Sequence, residues 1–453
     1  MSDLPKEWVN IYLQDIGTWG SGGTPKKSNI EYYDGVIPWL VIGDLNDSVV
    51  NKFKSCISEL GLKNSSAKLL AKGTILIGMY GSIGKLGITG FECATNQAMA
   101  SCVVNNQIIV SKLFFYYIWS RRDHLLSLGK GGAQQNISQT VLKAYEISLP
   151  PLKEQIQIAN KLDELLAKVD TTKSHLDKIP TILKCFRQSV LADAISGKLT
   201  QEWREANVSD DWTIIKLDKI AKVVDPQPSH RTPPEHAGGI PYIGIGDISL
   251  NGEFNFDRAK KVSPEVLKEH NKRYQLKEGD FVFGKIGTLG KATLVPIGID
   301  YTLSANVILI QPDISQVESS YIRFFLQAPD TMKEVAKQSN STSQAAFGIK
   351  KMRAFKFTLP GQIEQKEIVH RVEILFTLAD NIEKQYQTAK AKVDKLTQSI
   401  LAKAFRGKLT AKWRKQNPDL ISGKNSAQAL IEKVKLGKEA LKPVKKAKRK
   451  RKV

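Results

Sequence analysis

The chain carries one segment twice. Residues 188–200 read QSVLADAISGKLT, and residues 398–410 read QSILAKAFRGKLT. The distance between the copies is far longer than the roughly 20–50 residues of a solenoid repeat, so the pattern indicates a duplicated domain. A duplicated chain can fold with an internal two-fold axis. That symmetry suits a protein that binds a two-fold object such as duplex DNA.

Further matched residues show how far the duplication extends. Trp8 matches Trp212 in the second copy, and the glycines of 73–85 match those of 279–291. An entry motif, Leu-Pro followed by Glu-Gln, occurs at 149–155 and again at 359–365. An exit motif, Gly-Lys-Leu-Thr-x-x-Trp-Arg, ends each copy. The distance between copies drifts before the entry motif and is constant after it, which indicates that the constant part has a geometric role.

An apolar heptad pattern follows each entry motif. More than four heptads predict two long helices that pair as a coiled coil, which we expect to be antiparallel. The alternative is that each helix packs only on its own domain. Pro180 predicts a bend or break near Lys178–Thr181, because it removes a helical hydrogen bond. The predicted seam positions are Ile158, Leu162, Leu165, Val169, Thr172, Leu176, Ile179, Leu183, Phe186 and Val190, then Ile368, Val372, Leu375, Ala379, Ile382, Tyr386, Ala389, Val393, Leu396 and Ile400.

The length of this seam suggests a spacer. About 33 residues make a helix of roughly 50 Å, comparable with the roughly 34–36 Å of one DNA turn. Gly197 and Gly407 suit left-handed caps at the helix ends. The Trp-Arg pairs that follow either form a docking surface for a partner protein or pin the chain reversal; these pairs are Trp203 with Arg204 and Trp413 with Arg414.

Composition favours a polyanionic partner. The net charge is +22, and the twelve Lys/Arg against three Asp/Glu in 418–453 account for less than half of it. The chain shows neither an apolar signal region at its start nor an apolar run of about 18 residues, so we expect a soluble cytoplasmic protein. The cysteines form no CxxC pair and are expected to be reduced core thiols; they are Cys56, Cys93, Cys102 and Cys185.

The segments 1–150 and 208–360 are expected to be mixed α/β domains with many short strands. Alternation and short apolar runs carry this prediction. In the first copy we predict strands at Ile37–Ile42, Thr74–Ile77, Met99–Val104 and Tyr145–Leu149 and a helix at Ser111–Ser120. In the second copy we predict strands at Ile240–Ile245, Phe281–Phe283, Val307–Gln311 and Phe355–Leu359 and a helix at Ser320–Leu326.

Three loop regions of each copy are candidate DNA contacts. In the first copy they span 20–27, 78–85 and 129–136. Glycines let main-chain N–H groups approach phosphate, lysines add charge, and Asn or Gln can form two hydrogen bonds with adenine. The alternative is an ordinary solvated loop. The candidate DNA-binding residues are Thr24, Lys26, Lys27, Tyr80, Ser82, Lys85, Lys130, Gln134, Gln135, Asn136, His230, Arg231, Thr232, Lys285, Thr288, Lys291, Asn340, Ser341 and Gln344.

The sequence offers no catalytic constellation. The Gly-rich turn that ends in Gly84-Lys85 fails as a nucleotide loop, because Met79 and Leu86 stand where Gly and Ser/Thr are required. His230 and His236 lie in a Pro-rich segment without nearby cysteines, which argues against a metal site. Neither a Gly-x-Ser-x-Gly elbow nor the Asn/Asp-Pro-Pro-Tyr motif of adenine methyltransferases occurs. We therefore expect the chain to be a recognition subunit of a larger complex and to carry no catalytic residues.

Two variable segments framed by paired entry and exit motifs resemble the specificity subunit of a type I restriction–modification enzyme. The resemblance covers residues 1–417. It implies an α+β fold in which two similar mixed α/β target recognition domains are joined by two long helices forming an antiparallel coiled coil with pseudo-two-fold symmetry. The implied divisions are a first recognition domain at 1–150, a helix at 151–207, a second recognition domain at 208–360, a helix at 361–417 and a basic tail at 418–453.

The resemblance also implies a division of labour. Each recognition domain reads one half of a split DNA sequence, and the paired helices set the gap between the halves. The partners are double-stranded DNA, two modification subunits that methylate adenine and, in some complexes, two restriction subunits. S-adenosylmethionine, ATP and Mg²⁺ are then expected on those partners and not on this chain.

The tail departs from the family pattern. A helical stretch is predicted at Ala427–Ala440, followed by a Lys/Arg run from Lys442 to Lys452 that could add salt-sensitive, nonspecific DNA affinity. Two other functions remain open from the residues alone. One is a stand-alone nucleic-acid scaffold, although recognisable RNA-binding motifs are lacking. The other is an enzyme whose active-site residues are dispersed along the sequence.

Overall fold

The computed structural model describes residues 4–130, 135–207, 210–227, 229, 231–249, 252–285, 290–339 and 346–440, with side chains to 436. The chain divides into two compact units. The first unit comprises Met1–His175 and Ala389–Val453, and the second comprises Leu176–Thr388. Each unit contains one of the two predicted α/β domains.

The first domain consists of short strands and helices that end at the entry motif. In chain order they are β1 (Val9–Tyr12), β2 (Gly17–Ser21), β3 (Ile37–Leu40), β4 (Ser48–Val50), β5 (Cys56–Ile57), α1 (Glu59–Lys63), β6 (Ile75–Gly78), β7 (Leu86–Thr89), β8 (Ala94–Thr95), β9 (Met99–Val104), α2 (Ser111–Ser120), α3 (Arg122–Ser127), α4 (Gln139–Lys143) and β10 (Glu146–Leu149).

The core strands of the first domain form a five-stranded sheet in the order β2-β9-β6-β7-β4. Strand β6 pairs antiparallel with β9, with Ile75 opposite Cys102. All four residues of β6 are buried, which explains its unbroken apolar sequence. A three-stranded sheet, β5-β3-β8, includes the parallel pair β3–β8, and β1 pairs with β10 next to the entry motif.

Two helices continue the chain from the first domain, and a short one leads into the second. They are α5 (Leu152–Leu176), α6 (Ile179–Ile195) and α7 (Gln201–Ala206). The predicted break at Pro180 is confirmed, since α5 ends and α6 begins between Leu176 and Ile179. Proline lies in the first turn of α6, where its missing N–H removes no helical hydrogen bond.

The second domain repeats the first with small differences. Its elements are β11 (Thr213–Lys216), β12 (Ala221–Val224), β13 (Ile240–Ile243), β14 (Lys260–Val262), α8 (Pro264–Asn271), β15 (Phe281–Gly284), β16 (Ala292–Leu294), β17 (Thr302–Leu303), β18 (Val307–Pro312), α9 (Ser319–Gln327), α10 (Pro329–Gln338), α11 (Ile349–Ala354) and β19 (Lys356–Leu359). The sheets are β12-β18-β15-β16, β14-β13-β17 and β11-β19. The predicted strands and helices of both copies are confirmed to within one or two residues at each end.

The last part of the chain begins with one continuous helix. The elements are α12 (Gln362–Phe405), α13 (Ala411–Gln416) and α14 (Ala427–Ala440). Helix α12 is the counterpart of α5 and α6 together, and it contributes residues to both units. Its unbroken course confirms that Lys390, the residue aligned with Pro180, carries no helix-breaking penalty.

Within each unit, a stretch of α12 pairs antiparallel with the helix from the first copy. In the first unit the Lys161 ammonium donates to the Leu409 carbonyl, and Lys173 pairs with Asp394 at 3.8 Å. In the second unit the guanidinium of Arg187 pairs with Asp380 at 2.8 Å, and that of Arg371 donates to the Leu199 carbonyl. In both units the residue numbers on one helix rise as those on the other fall, so the prediction of antiparallel helices is confirmed within each unit.

The buried seam is narrower than predicted. One row is buried at heptad spacing, namely Leu162, Val169, Leu183 and Val190 on the first helices and Val372, Ala379, Tyr386 and Val393 on α12. Thr172, Ile382 and Leu396 of the second predicted row are exposed, so their assignment to the seam was wrong. The helices also pack on their domains: Ile158 and Leu162 share a core with Phe114, and Ile368 and Val372 share one with Phe325. The helices therefore pack both on each other and on their own domains.

The end of the described chain packs on the first unit. The predicted helix at Ala427–Ala440 is confirmed as α14, and its Ile431 and Val434 pack against the core of the first unit. The residues beyond it, including Lys442–Lys452, lie outside the described part of the chain.

The cysteines are free thiols. Cys93 and Cys102 are buried, and burial raises the pKa of each to about 12. Cys56 is half-buried. The expectation of a core position was wrong for Cys185, which is exposed on the outer side of α6 between the inward-facing Leu183 and Phe186.

Candidate nucleic-acid interface

The entry and exit motifs meet at a buried glutamate in each unit. In the first unit Glu154 is fully buried, and Trp8 Nε1 donates to its Oε2 over 2.9 Å. The Thr410 hydroxyl and the Arg414 guanidinium both donate to Oε1 of the same carboxylate. We call these four residues the first carboxylate cluster. Buried charge is retained here because it is paired and fully hydrogen-bonded.

The second unit repeats this arrangement residue for residue. Glu364 is buried, and it accepts from Trp212 Nε1 at 2.8 Å, Thr200 Oγ1 at 2.8 Å and Arg204 Nε at 2.9 Å. These residues form the second carboxylate cluster. In both copies the arginine also donates to the carbonyl of the capping glycine, Gly197 or Gly407, whose positive φ confirms the predicted left-handed cap.

The glutamine of each entry motif joins the helix to its domain. Gln155 accepts from the Val110 N–H just before α2 and donates to the carbonyls of Ile108 and Pro150. Gln365 accepts from the Glu318 N–H just before α9 and donates to the Pro360 carbonyl. The Glu-Gln pair therefore fixes each domain on its helix, which accounts for the conserved spacing between the copies.

The Trp-Arg pairs lie at the two chain reversals. Arg204 and Arg414 hydrogen-bond the buried glutamates and pin the chain reversal, and their assignment to partner binding stays a prediction. Trp203 and Trp413 are half-buried, and their assignment to partner binding stays a prediction.

In the first domain, the three predicted loop regions converge. The Gly23 N–H donates to the Thr95 carbonyl, and the Thr24 hydroxyl bonds the Gln97 side chain. One residue further, the Ala98 carbonyl accepts from the Met79 N–H at the start of the second loop. The segment Thr95–Ala98 thus connects the first and second loop regions.

The second and third loop regions are joined directly. Tyr80 and Asn136 form an isolated β-bridge, Asn136 and Lys130 form another, and the Gly81 N–H donates to the Gln135 carbonyl. Exposed side chains therefore share this part of the first domain: Lys26, Lys27, Tyr80, Ser82, Gln97, Lys130, Gln135 and Asn136. Lysines, amides and an aromatic ring together suit contacts with phosphates and base edges.

Two contributors to this surface were missed from the sequence. Gln97 is exposed beside Thr24, but its counterpart in the second copy is Ala305, so the repeat gave no signal. Arg122 holds the Gly-rich turn by donating to the Gly84 carbonyl and pairing with Asp47, an interaction between residues far apart in sequence.

The lysines at the end of the Gly-rich turns have a structural contact. The Lys85 ammonium donates to the Ile42 carbonyl, and the Lys291 ammonium donates to the Ile248 carbonyl. Burial lowers the pKa of Lys291. Both amines turn toward the domain. Any contact of these lysines with DNA stays a prediction.

The glycines of the first loop region have a different role from the one predicted. Gly22 and Gly23 are buried, and a Cβ on Gly22 would lie 2.1 Å from the Thr95 carbonyl oxygen. Since the Gly23 N–H already donates to Thr95, it is not available to a phosphate. The glycines are required for close packing of the loop against β8.

The second domain presents a smaller described surface. Arg231 and Thr232 are exposed. Lys285 is buried and pairs with Asp225 at 3.3 Å, so its ammonium faces the domain, and its assignment to DNA binding stays a prediction. Six predicted contacts lie outside the described residues: Gln134, His230, Thr288, Asn340, Ser341 and Gln344.

Among the described residues, His, Cys, Asp and Glu side chains do not come together in any group of three that could hold a metal ion. A search of the same residues for a helix long and apolar enough to span a membrane gave none.

These observations define a class: a duplicated protein whose two α+β domains carry polar loops and are each fixed by a buried carboxylate to an antiparallel helix pair. The family model described as "Type I restriction modification DNA specificity domain" matches residues 5–181 and 209–391. The chain belongs to this family of type I restriction–modification specificity subunits, and its role is in DNA sequence specificity.

Relatives span nearly the whole chain. It is 34% identical to the type I restriction enzyme EcoBI specificity subunit of Escherichia coli, over 96% of this chain and 93% of the relative. It is 33% identical to the EcoKI specificity subunit of Escherichia coli strain K12, over 96% and 97%. The fold is similar to the HsdS subunit from Thermoanaerobacter tengcongensis, with TM-score 0.57, 14% identity and coverage of 89% and 98%. A chain from a structure of the type I R-M system gives TM-score 0.69 at 16% identity, over 89% and 99%.

Proposed function

We propose that this chain reads a bipartite DNA target, with one half-site per domain, and that the paired helices set the gap between the half-sites. The observation that carries the proposal is the repeated carboxylate cluster. The same buried Glu, Thr, Arg and Trp fix a domain to a helix pair in each unit, while the loop residues differ between the domains. A constant attachment with variable loops suits two readers of different sequences.

The first domain supports this function most directly. Its converged loops combine lysines with Tyr80, Gln97, Gln135 and Asn136, a mixture that can neutralise phosphates and bond base edges. The body of the chain is basic even without the tail, which favours DNA over a neutral partner.

The chain performs no chemistry itself in this proposal. Two modification subunits and, in complexes that also cleave DNA, two restriction subunits supply methylation and cleavage, together with S-adenosylmethionine, ATP and Mg²⁺. Trp203 and Trp413 are equivalent half-buried side chains in the two units, which suits the docking of two identical partners.

Exchange of residues 1–150 for the corresponding domain of another family member tests the independence of the two readers. The complete chain, with its modification partner, is expressed in a host, and adenine methylation is mapped across the chromosome. We expect one half-site to change while the other half-site and the gap stay the same. A change in both half-sites would contradict the proposal.

A further inference from the structure

The second domain contains a buried histidine with both ring nitrogens occupied. His270, at the end of α8, is 1% exposed. Its Nδ1 bonds the hydroxyl of Thr302 on β17, and its Nε2 bonds Oε1 of Gln227 in the loop after β12. The corresponding helix of the first domain, α1, contains no histidine, so this feature belongs to the second domain alone.

Gln227 uses its whole side-chain amide within the protein. Its Nε2 donates to the Ser229 hydroxyl at 2.9 Å and to the Arg231 carbonyl at 3.0 Å, while Oε1 faces His270. An amide has two N–H donors and one carbonyl acceptor, and all three groups are engaged. Gln227 therefore shapes the loop that carries Arg231 and Thr232 and has no donor left for a base.

The direction of the Gln227–His270 hydrogen bond follows from the other contacts of Gln227. The Arg231 carbonyl can only accept, so Gln227 Oε1 must face the imidazole, and His270 Nε2 carries the hydrogen. Nδ1 of His270 is therefore bare, and the Thr302 hydroxyl donates to it. The Tyr274 oxygen accepts from the Leu303 N–H, and it lies 3.1 Å from Thr302 Oγ1 and 3.4 Å from His270 Nδ1. A single neutral tautomer of His270 satisfies every group.

The first domain fastens the same loop by another means. There the loop after β2 lies directly on β8, through the Gly23 N–H and the Thr95 carbonyl. Strand β17 is the counterpart of β8. Strand β8 pairs in parallel with β3, and β17 pairs in parallel with β13, which occupies the same place in the second domain. The two domains thus hold equivalent loops against equivalent strands, one by main-chain contact and the other through His270 and Gln227.

We propose that His270 and Gln227 are positioning residues that fix Ser229, Arg231 and Thr232 for reading the second half-site. The inference rests on the proposed function. His270 acts through Gln227 and does not touch DNA, so its removal changes which bases the second domain accepts and leaves the first half-site unaltered.

The test is chromosomal adenine-methylation mapping in a host that carries the complete chain and its modification partner. Gln227→Leu keeps the size of the side chain and removes its hydrogen bonds. We expect methylation of chromosomal sequences that differ from the wild-type target in the second half-site to rise at least tenfold over wild type. The first half-site should stay unchanged, which reports that the chain folds normally. His270→Leu should have the same effect, and His270→Gln, which keeps one donor and one acceptor, should restore discrimination.

Tyr274→Phe is the matched control. It removes a buried hydroxyl from the same group but leaves Thr302 able to donate to His270, so both half-sites should stay as in wild type. The proposal is overturned if Gln227→Leu leaves both half-sites unchanged, if Tyr274→Phe broadens the second half-site equally, or if His270→Gln behaves like His270→Leu. A wild-type chain that yields no bipartite methylation motif would instead refute the proposed function itself.

Discussion

The two carboxylate clusters have the same chemistry and different connectivity. In the second cluster, Thr200, Arg204 and Trp212 come from one short stretch of chain that surrounds Glu364. In the first cluster, Trp8 comes from one segment, Thr410 and Arg414 come from another far from it in sequence, and both segments bond Glu154. The second carboxylate therefore joins two chain segments, whereas the first joins three.

This difference has an energetic consequence. Joining three distant segments must overcome more chain entropy than joining two, although that cost grows slowly with loop length. The ion pair of the first cluster is also better shielded, since the Arg414 side chain is 14% exposed and that of Arg204 is 32% exposed. The first unit should therefore depend more strongly on its glutamate.

Replacement of each glutamate by glutamine should give the largest effect on stability. Glu154→Gln leaves a buried guanidinium without its charge partner, and we expect a loss of about 3 kcal/mol in the first unit. Glu364→Gln should cost about 2 kcal/mol in the second, because solvent screens the more exposed Arg204. Native-state amide exchange, which resolves the units separately, measures both losses.

In the same experiment, Glu154→Gln should remove protection from Trp8–Tyr12 and from Ala411–Gln416 together. Thr200→Val and Thr410→Val serve as matched controls that remove one hydroxyl hydrogen bond to the carboxylate but keep the ion pair in each cluster. Equal losses for the two glutamate variants would contradict the view that connectivity and burial distinguish the clusters.

The capping glycines of the two units, Gly407 and Gly197, should also differ in how much a substitution destabilises the protein, by a smaller amount. A Cβ on Gly407 would lie 2.4 Å from the rigid ring of Pro5, whereas one on Gly197 would lie 2.7 Å from the flexible end of Arg204. Both glycines have positive φ, which costs alanine about 1 kcal/mol or more. Gly407→Ala should lower the melting temperature more than Gly197→Ala. The reverse order in thermal melts would show that the Pro5 contact is readily relieved.

The contacts that hold the loop after β2 in the first domain and the loop after β12 in the second should respond differently to pH. Burial lowers the pKa of His270 below its ordinary value, with a smaller opposing effect from Glu269 and a further lowering by Arg273. The unfolded chain then binds more protons, so this contribution to stability is fully present above the unfolded pKa of about 6.5 and is lost as the pH falls from there through the lower pKa of the folded chain. We expect amide protection in α8 and β17 to fall between pH 7.5 and 5.5, and that in α1 and β8 to fall less. His270→Gln should abolish the difference.

Much of the fold was predictable because local patterns carried it. Short apolar runs located the strands, the heptads located α5, α6 and α12, and Pro180 located their one break. The number of apolar rows buried between the helices was not predictable, because the domains and the partner helix pack against the same face of each helix. Ile382 and Leu396 fit the heptad spacing and are nevertheless exposed.

The candidate site was less predictable than the fold. The duplication identified Glu154 and Glu364 as repeated, but their partners are distant in sequence and only the folded chain brings them together. From the sequence, Lys285 was expected to be an exposed cation, because the sequence does not show that the fold brings Asp225 to 3.3 Å from its ammonium. Gln97, which has no counterpart in the other copy, lies on the surface only because β8 brings it between two loops.

The most direct test of the central claim is a matched heptad deletion followed by methylation mapping. Residues 169–175 and 392–398 lie opposite each other in the register set by Lys173 and Asp394, so removal of both preserves the heptad phase. Seven helical residues at about 1.5 Å each correspond to about three base pairs at roughly 3.4 Å. The account predicts the same two half-sites separated by a gap about three base pairs shorter. An unchanged gap, or altered half-sites at the original gap, would contradict it.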